Sequence, residues 1–117
     1  MKSVFVVEDD FAVGETIQAI LEESTYRVRL FTEPADLPNG PAPALVITDL
    51  ASRDGYCSQE AVRDVRALRV RTAAPILVLT AHGAARSDAD LAREVSAVMT
   101  KPFEMDELLA MVERLAL

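Results

Sequence analysis

The chain has 117 residues, of which 50% are hydrophobic and 26% are charged, so its size and composition fit one globular domain. Its formal net charge of −7, from 19 acidic residues against 12 lysines and arginines, disfavours nonspecific binding to nucleic acid or to an anionic membrane. No apolar run approaches the ~20 residues of a membrane span, and the single cysteine, Cys57, excludes an internal disulfide and fits a reducing compartment. We therefore expect a cytoplasmic domain without a direct nucleic acid or membrane partner.

Five short apolar runs predict β-strands. Four of them are continuous, which is typical of strands buried on both faces of a parallel sheet: "VFVV" (4–7), "LVIT" (45–48), "ILVLT" (76–80) and "AVMT" (97–100). The fifth run, "RVRLF" (27–31), alternates basic and apolar residues. This alternation predicts an edge strand with one face in water.

Helical periodicity appears between the predicted strands. One amphipathic helix is predicted after Asp10, which can act as its N-cap, a second after Ser58, and the clearest over residues 105–115. Residues 84–95 predict a weaker helix, because few apolar side chains anchor it. The stretch "EPADLPNGPAPA" (33–44) carries four prolines and leaves room for at most one helical turn.

This alternation of strands and helices predicts an α/β fold of the flavodoxin-like type. Its doubly wound, five-stranded parallel sheet would have the order 2-1-3-4-5, with a shortened or missing second helix. The order reverses between the first and third strands, and ligands bind outside the carboxyl ends of the strands at such a reversal. The residues that follow the central strands are therefore the candidates for a functional site.

Polar residues stand at these strand ends. Glu8 and Asp9 follow the first strand, Asp49 follows the third, Thr80 ends the fourth, and Lys101 follows the fifth. Taken singly, each has an ordinary explanation, such as an acidic residue at the start of a helix or a turn residue. Together they predict a site, because two carboxylates ~4 Å apart repel by roughly 4 kcal/mol at an effective dielectric near 20 unless a cation lies between them.

The donor set predicts the chemistry of this site. Carboxylate and carbonyl oxygens are preferred ligands of Mg²⁺, which is the expected cofactor. A divalent ion, a hydroxyl and an ammonium suit phosphoryl transfer, with Thr80 and Lys101 contacting the phosphoryl oxygens. Asp49 lies centrally and is the candidate nucleophile that would form an acyl phosphate. Pro102 restricts the residue before it and would aim Lys101 at the pocket.

The segments "VFVVEDD", "LVITDL", "ILVLTAHG" and "VMTKPFE", in this order, resemble the four signature segments of CheY-like response-regulator receiver domains of two-component signalling. The resemblance covers essentially the whole chain. It implies the roles of five side chains, with Glu8 and Asp9 as the acidic pair that holds Mg²⁺, Asp49 as the phosphoacceptor, and Thr80 and Lys101 as the switch pair. It also implies that the backbone carbonyl of Ala51 is a further metal ligand.

The resemblance also implies partners. A sensor histidine kinase or a histidine phosphotransfer protein would donate the phosphoryl group, and a downstream protein or effector domain would respond, with a homodimer as an open alternative. Such a domain assists its own phosphorylation and dephosphorylation and is not a turnover enzyme. We expect residues 1–117 to form this receiver domain alone, without an effector domain.

The sequence departs from the family pattern at several positions. The loop "DLASRDGYC" (49–57), which includes Ala51, lacks the usual Met-Pro and reaches its glycine about two residues early. Val98 stands where an aromatic switch residue is common, so another element would report phosphorylation. We expect the weak helix at 84–95 and the fifth strand to shift and to change a protein-binding face. His82, two residues after Thr80, lies where relatives tune dephosphorylation, although its residue type alone fits a solvated loop.

Two alternative functions stay open at this stage. A phosphatase of the haloacid dehalogenase type needs a second aspartate two positions after Asp49, and Ala51 stands there. A receiver-like binding module that works independently of phosphorylation would fit the irregular loop, whereas the presence of all five polar site residues argues against it. A response to millimolar Mg²⁺ would distinguish a working pocket from such a module.

Overall fold

The computed structural model describes residues 1–50 and 55–117. Within these ranges the chain forms one five-stranded parallel sheet in the order β2-β1-β3-β4-β5. The strands are β1 (Ser3–Val7), β2 (Arg27–Phe31), β3 (Leu45–Thr48), β4 (Ile76–Thr80) and β5 (Ala97–Thr100). The predicted order and all five predicted strands are confirmed, and β1 begins one residue earlier than its apolar run. As expected, β2 lies at an edge, with Val28 buried and Arg27 and Arg29 exposed.

Helices cover both faces of the sheet. They are α1 (Phe11–Glu23), α2 (Ser58–Arg71), α3 (Ala89–Ala92) and α4 (Met105–Leu115), together with 3-10 turns at Pro34–Asp36 and Gly83–Ser87. Only the turn at Pro34–Asp36 connects β2 to β3, which confirms the shortened second helix. Within the described ranges, no helix is both long enough and apolar enough to cross a membrane.

Alternation along β1 divides the core into two layers, because successive side chains of a strand point to opposite faces. Val4 and Val6 belong to the layer that includes α1 and α4. Phe5 and Val7 belong to the layer that includes α2 and α3. The continuous apolar runs of the central strands thus reflect burial on both faces, as the sequence predicted.

The predicted N-cap of α1 is confirmed, and α2 begins at its predicted position without a side-chain cap. Asp10 caps α1, since its Oδ1 accepts hydrogen bonds from the backbone N–H groups of Ala12 (3.0 Å) and Val13 (3.3 Å). For α2, Ser58 is the first helical residue and Cys57 occupies the N-cap position without a side-chain cap. The Ser58 side chain instead bonds Asp88 of another segment.

The prediction of one helix over residues 84–95 is wrong, because this segment forms two short pieces. The chain forms the 3-10 turn Gly83–Ser87 and becomes extended at Asp88 (φ −82°, ψ 105°). It then completes the single turn of α3. Asp88 interrupts the helix because its carboxylate accepts the N–H groups of Asp90 and Leu91, and this N-cap geometry requires a non-helical backbone. Leu91 and Ala85 anchor the two short pieces in the core.

The two ends of the chain meet at the edge of the sheet where the strands begin. The Lys2 ammonium, just before β1, donates a hydrogen bond of 2.7 Å to the carbonyl oxygen of Ala116, just after α4. A cation at a helix C-terminus also complements the partial negative charge of that end. This contact therefore ties the last helix to the first strand.

The buried Gly14 in the middle of α1 gives a test of the packing. A methyl group at this position would lie 3.6 Å from Leu30 Cδ1 and 3.9 Å from Glu8 Cβ, which are ordinary van der Waals distances. We expect Gly14→Ala to raise the free energy of unfolding in urea by about 0.5–1 kcal/mol, because alanine loses less backbone entropy in a helix. The contrasting variant is Gly40→Ala, which we expect to lower stability, because the φ of +147° at Gly40 disfavours a side chain. A less stable Gly14→Ala variant would contradict this packing.

Candidate functional site

Backbone hydrogen bonds fix the residues that follow the strands. The N–H of Glu8 donates to the carbonyl of Phe31 (2.8 Å), and the N–H of Asp49 donates to the carbonyl of Val7 (3.1 Å). The N–H of Lys101 donates to the carbonyl of Thr80 (2.8 Å). The ladder of the sheet thus extends one residue beyond the strands and holds these side chains at one edge.

Three carboxylates meet at this edge, where the strand order reverses. Glu8, Asp9 and Asp49 each offer one carboxylate oxygen, and these three oxygens all lie within 4.8 Å of one another. Glu8 is buried, Asp49 is half-buried and Asp9 is exposed. The structure therefore brings together the three acidic side chains that the sequence singled out.

The buried Glu8 carboxylate is the least satisfied member of this cluster. Its Oε2 makes no hydrogen bond with any residue that the structure describes, although the side chain is only 3% exposed. Burial raises the pKa of Glu8 to about 7 and the charge of Asp49 adds to the rise, whereas the hydrogen bond from Lys101 lowers it. A buried carboxylate oxygen without a donor, beside two further carboxylates, fits a hard cation such as Mg²⁺.

Lys101 closes the opposite side of the cluster. Its Nζ donates to Glu8 Oε1 at 2.9 Å and lies 3.6 Å from Asp49 Oδ1. The side chain is 20% exposed, and the following peptide bond to Pro102 is cis. The ammonium thus contacts two of the acidic residues and is directed at the site, as the Lys-Pro sequence predicted.

Thr80 lies at the end of β4 and is fully buried. Its Oγ1 accepts a hydrogen bond of 3.1 Å from the backbone N–H of His82. A hydroxyl can accept and donate at once, so Thr80 keeps a hydrogen that it can offer to a ligand. This hydroxyl is the only buried side-chain donor at the end of β4 within the described ranges.

The other sequence-predicted site residues lie in different surroundings. Ala51, whose carbonyl was expected to bind metal, lies outside the described residues. His82 is half-buried, and its ring centroid lies 6.1 Å from that of Tyr56. Val98 is half-buried on β5 and packs against the core layer of α2.

A cleft beside the acidic cluster was not foreseen from the sequence. It has a volume of about 580 Å³ and is bounded by the 3-10 turn Pro34–Asp36 on one side and by α2 on the other. Two further acidic residues, Glu33 and Asp64, line it together with the acidic cluster. Burial raises the pKa of Asp64, and nearby Arg63 lowers it. No local pattern relates residues 33 and 64, because only the fold brings them to one cleft.

Comparisons of the sequence point to one family. A family model described as the response regulator receiver domain matches residues 4–113. The chain is 33% identical over 120 residues to response regulator Rre1 of Synechocystis sp., a match that covers 97% of this chain and 51% of Rre1. It is 29% identical over 118 residues to the transcriptional regulatory protein FixJ of Bradyrhizobium diazoefficiens, covering 94% and 54%. The chain thus spans about half the length of these curated relatives.

Solved structures share the fold. The non-phosphorylated HemR receiver domain from Leptospira biflexa matches with a TM-score of 0.74 and 29% identity, covering 99% of this chain and 94% of that one. The receiver domain of sensor histidine kinase PA1611 from Pseudomonas aeruginosa, with a magnesium ion coordinated in its active site cleft, matches with a TM-score of 0.71 and 22% identity. That match covers 98% of this chain and 97% of the other.

Proposed function

The chain belongs to the response regulator receiver domain family, and we propose that it accepts a phosphoryl group on Asp49 and thereby switches a protein-binding face. Residues 1–117 form the receiver domain in this proposal. Receiver domains are signalling domains and not turnover enzymes, so the expected product is the phosphorylated protein itself. The donor is a histidine kinase or a histidine phosphotransfer protein.

One observation carries this proposal. Oxygens of Glu8, Asp9 and Asp49 lie within 4.8 Å of one another, and the Lys101 ammonium contacts two of these residues from the other side. Acidic residues alone occur on many surfaces, but a buried carboxylate oxygen without a partner in the described chain requires a compensating group. A divalent cation supplies that compensation and suits phosphoryl transfer.

Each residue has a role that follows from its position. An Asp49 oxygen attacks phosphorus, so that an O–P bond forms while the P–N bond of a donor phosphohistidine breaks. Glu8 and Asp9, with Asp49, would hold Mg²⁺, and the Ala51 carbonyl stays a predicted further ligand. Bound Mg²⁺ would neutralise part of the phosphoryl charge.

The two residues on the far strands stabilise the product. Lys101 supplies a positive charge to a phosphoryl oxygen, and Thr80 donates a hydrogen bond to another. Phosphorylation adds about −1.5 to −2 charges at this edge, so both side chains are drawn toward Asp49. The partner that responds is a downstream protein, an effector domain or a second copy of the chain.

Intact mass after incubation with acetyl phosphate and Mg²⁺ tests the function. We expect the wild-type protein to gain the mass of one phosphoryl group, and we expect the gain to require Mg²⁺. An unchanged mass would favour the binding module that works independently of phosphorylation, provided that the protein is folded by circular dichroism.

The Thr80 hydroxyl provides a second test. We expect Thr80→Val to slow phosphoryl uptake from acetyl phosphate about tenfold, because the isosteric variant loses one hydrogen bond to the phosphoryl group. Time-resolved intact mass measures the rate. Thr100→Val, which removes the hydroxyl that ends β5, is the matched control and should leave the rate unchanged. Equal slowing in both variants would contradict a specific role for Thr80.

A further inference from the structure

A series of contacts between backbone and side-chain groups runs from Thr80 to the short helix α3. It begins at the backbone N–H of His82, which donates to Thr80 Oγ1 at 3.1 Å. The His82 ring lies beside the Tyr56 ring, with centroids 6.1 Å apart and planes tilted by 45°. Tyr56 thus lies next to the residue that the Thr80 hydroxyl holds in place.

The hydroxyl of Tyr56 continues this series. It donates a hydrogen bond of 2.5 Å to Asp88 Oδ2. The other oxygen of Asp88, Oδ1, accepts the backbone N–H groups of Asp90 (3.0 Å) and Leu91 (3.3 Å), so Asp88 is the N-cap of α3. A hydrogen bond to an ionised carboxylate is stronger than one between neutral groups, and it orients the capping side chain.

The acid–base properties of the pair agree with this contact. Burial, followed by the hydrogen bond to Asp88, raises the pKa of the Tyr56 phenol. Hydrogen bonds from Ser58 and Tyr56 lower the pKa of Asp88. The contact therefore pairs a neutral phenol with an ionised carboxylate at neutral pH.

The helix at the end of this series is marginal by itself. It has four residues, whereas isolated helices shorter than ~12–15 residues are barely stable in water. Leu91 is its only buried side chain, and the Arg66–Glu94 ion pair of 2.8 Å supports the chain just beyond it. The orientation of Asp88 therefore has a large share in whether α3 forms.

We propose that Tyr56 is a positioning residue that couples the Asp49 site to α3. The inference rests on the proposed function, since phosphorylation supplies the change that is transmitted. When the Thr80 side chain moves toward the phosphoryl group, its Oγ1 moves away from the His82 N–H, and the ring of His82 shifts against Tyr56. Tyr56 then releases Asp88, and α3 loosens on the face that it shares with α2.

Tyr56 provides a side chain that can respond to a movement of Thr80, which the apolar residue at position 98 does not provide. Val98 has neither a ring nor a polar atom that could report the position of Thr80. Tyr56 has both, and it contacts segments on either side of the path, namely His82 after β4 and Asp88 before α3. Coupling of this kind requires a contact that differs between two states, and the Tyr56–Asp88 hydrogen bond is such a contact.

Hydrogen exchange of residues 89–95, measured with and without acetyl phosphate plus Mg²⁺, tests the coupling in wild type and in Tyr56→Phe. We expect phosphorylation to speed this exchange about fivefold in wild type, as loss of one hydrogen bond to a charged group allows. In Tyr56→Phe the unphosphorylated segment already exchanges fast, and phosphorylation adds less than about twofold. Tyr26→Phe, which removes the hydroxyl of the only other tyrosine, should behave as wild type.

Intact mass of the same samples separates the two possible failures. If both proteins are phosphorylated and exchange in Tyr56→Phe responds as in wild type, the coupling through Tyr56 is overturned while the proposed function stands. If wild type gains no phosphoryl mass, the proposed function fails and the coupling fails with it. A smaller exchange response in Tyr56→Phe at equal phosphorylation supports the inference.

Discussion

Asp49→Asn is expected to abolish phosphoryl uptake, with the rate reduced by at least about 1000-fold, as removal of a nucleophile does in other systems. The amide keeps the size of the carboxylate but lacks its nucleophilic oxygen. It also removes a charge that lies 3.6 Å from the Lys101 ammonium, without taking a side chain out of the core. Intact mass after incubation with acetyl phosphate and Mg²⁺ measures the effect.

Asp64→Asn is the matched control for this prediction. Asp64 is a half-buried carboxylate that lines the same cleft, so its replacement changes the charge of the cleft but leaves the acidic cluster intact. We expect this variant to be phosphorylated as fast as wild type. An equal mass gain in Asp49→Asn would instead identify another residue as the acceptor.

Glu8→Gln is expected to stabilise the metal-free protein at pH 8 by up to about 3.5 kcal/mol, since one pKa unit corresponds to about 1.4 kcal/mol. Burial raises the pKa of this carboxyl from 4.5 to about 7, so the folded state binds a proton more tightly than the unfolded state. Glu8 therefore lowers the free energy of unfolding progressively as the pH rises from about 4.5 to about 7. The amide carries no charge and removes this penalty.

Urea unfolding at several pH values, with and without Mg²⁺, measures the pH dependence of stability and the stabilisation by the metal. In wild type, Mg²⁺ at ten times its dissociation constant should add about 1.4 kcal/mol of stability. In Glu8→Gln we expect less than half of this increment, because one of the three acidic ligands is lost. Glu15→Gln, an exposed site on α1, should change neither value. A Glu8→Gln variant less stable than wild type at pH 8 would contradict an unfavourable ionised Glu8.

The sheet and the acidic cluster could be predicted from the sequence, because local patterns determine both. Buried parallel strands require continuous apolar runs, and their carboxyl ends meet at one edge. Once the order of the strands is predicted, Glu8, Asp49 and Lys101 fall at the same edge of the sheet, although 93 residues separate the first from the last. The proline-rich connection likewise excludes a long second helix by the chemistry of proline.

The region around α3 could not be predicted in the same way. Residues 84–95 have a composition typical of a helix, but Asp88 interrupts them by acting as an N-cap. An aspartate can either continue a helix or bind the backbone N–H groups that follow it, and the local sequence does not decide between the two. The same carboxylate accepts a hydrogen bond from Tyr56, 32 residues away, which becomes a neighbour only in the folded chain. The hydrogen bond between the His82 N–H and Thr80 Oγ1 could not be predicted either, because it depends on the side-chain rotamer of Thr80 in the folded chain.

The contact between Lys2 and Ala116 has a practical consequence for assays. Both residues lie where the strands start, and a strand of five residues rises about 17 Å to the opposite edge. An affinity tag, a fluorophore or a fused reporter attached beside either residue will therefore lie far from the edge of the sheet that holds Asp49. Such labels can follow the response of the domain without obstructing the approach of a phosphoryl donor.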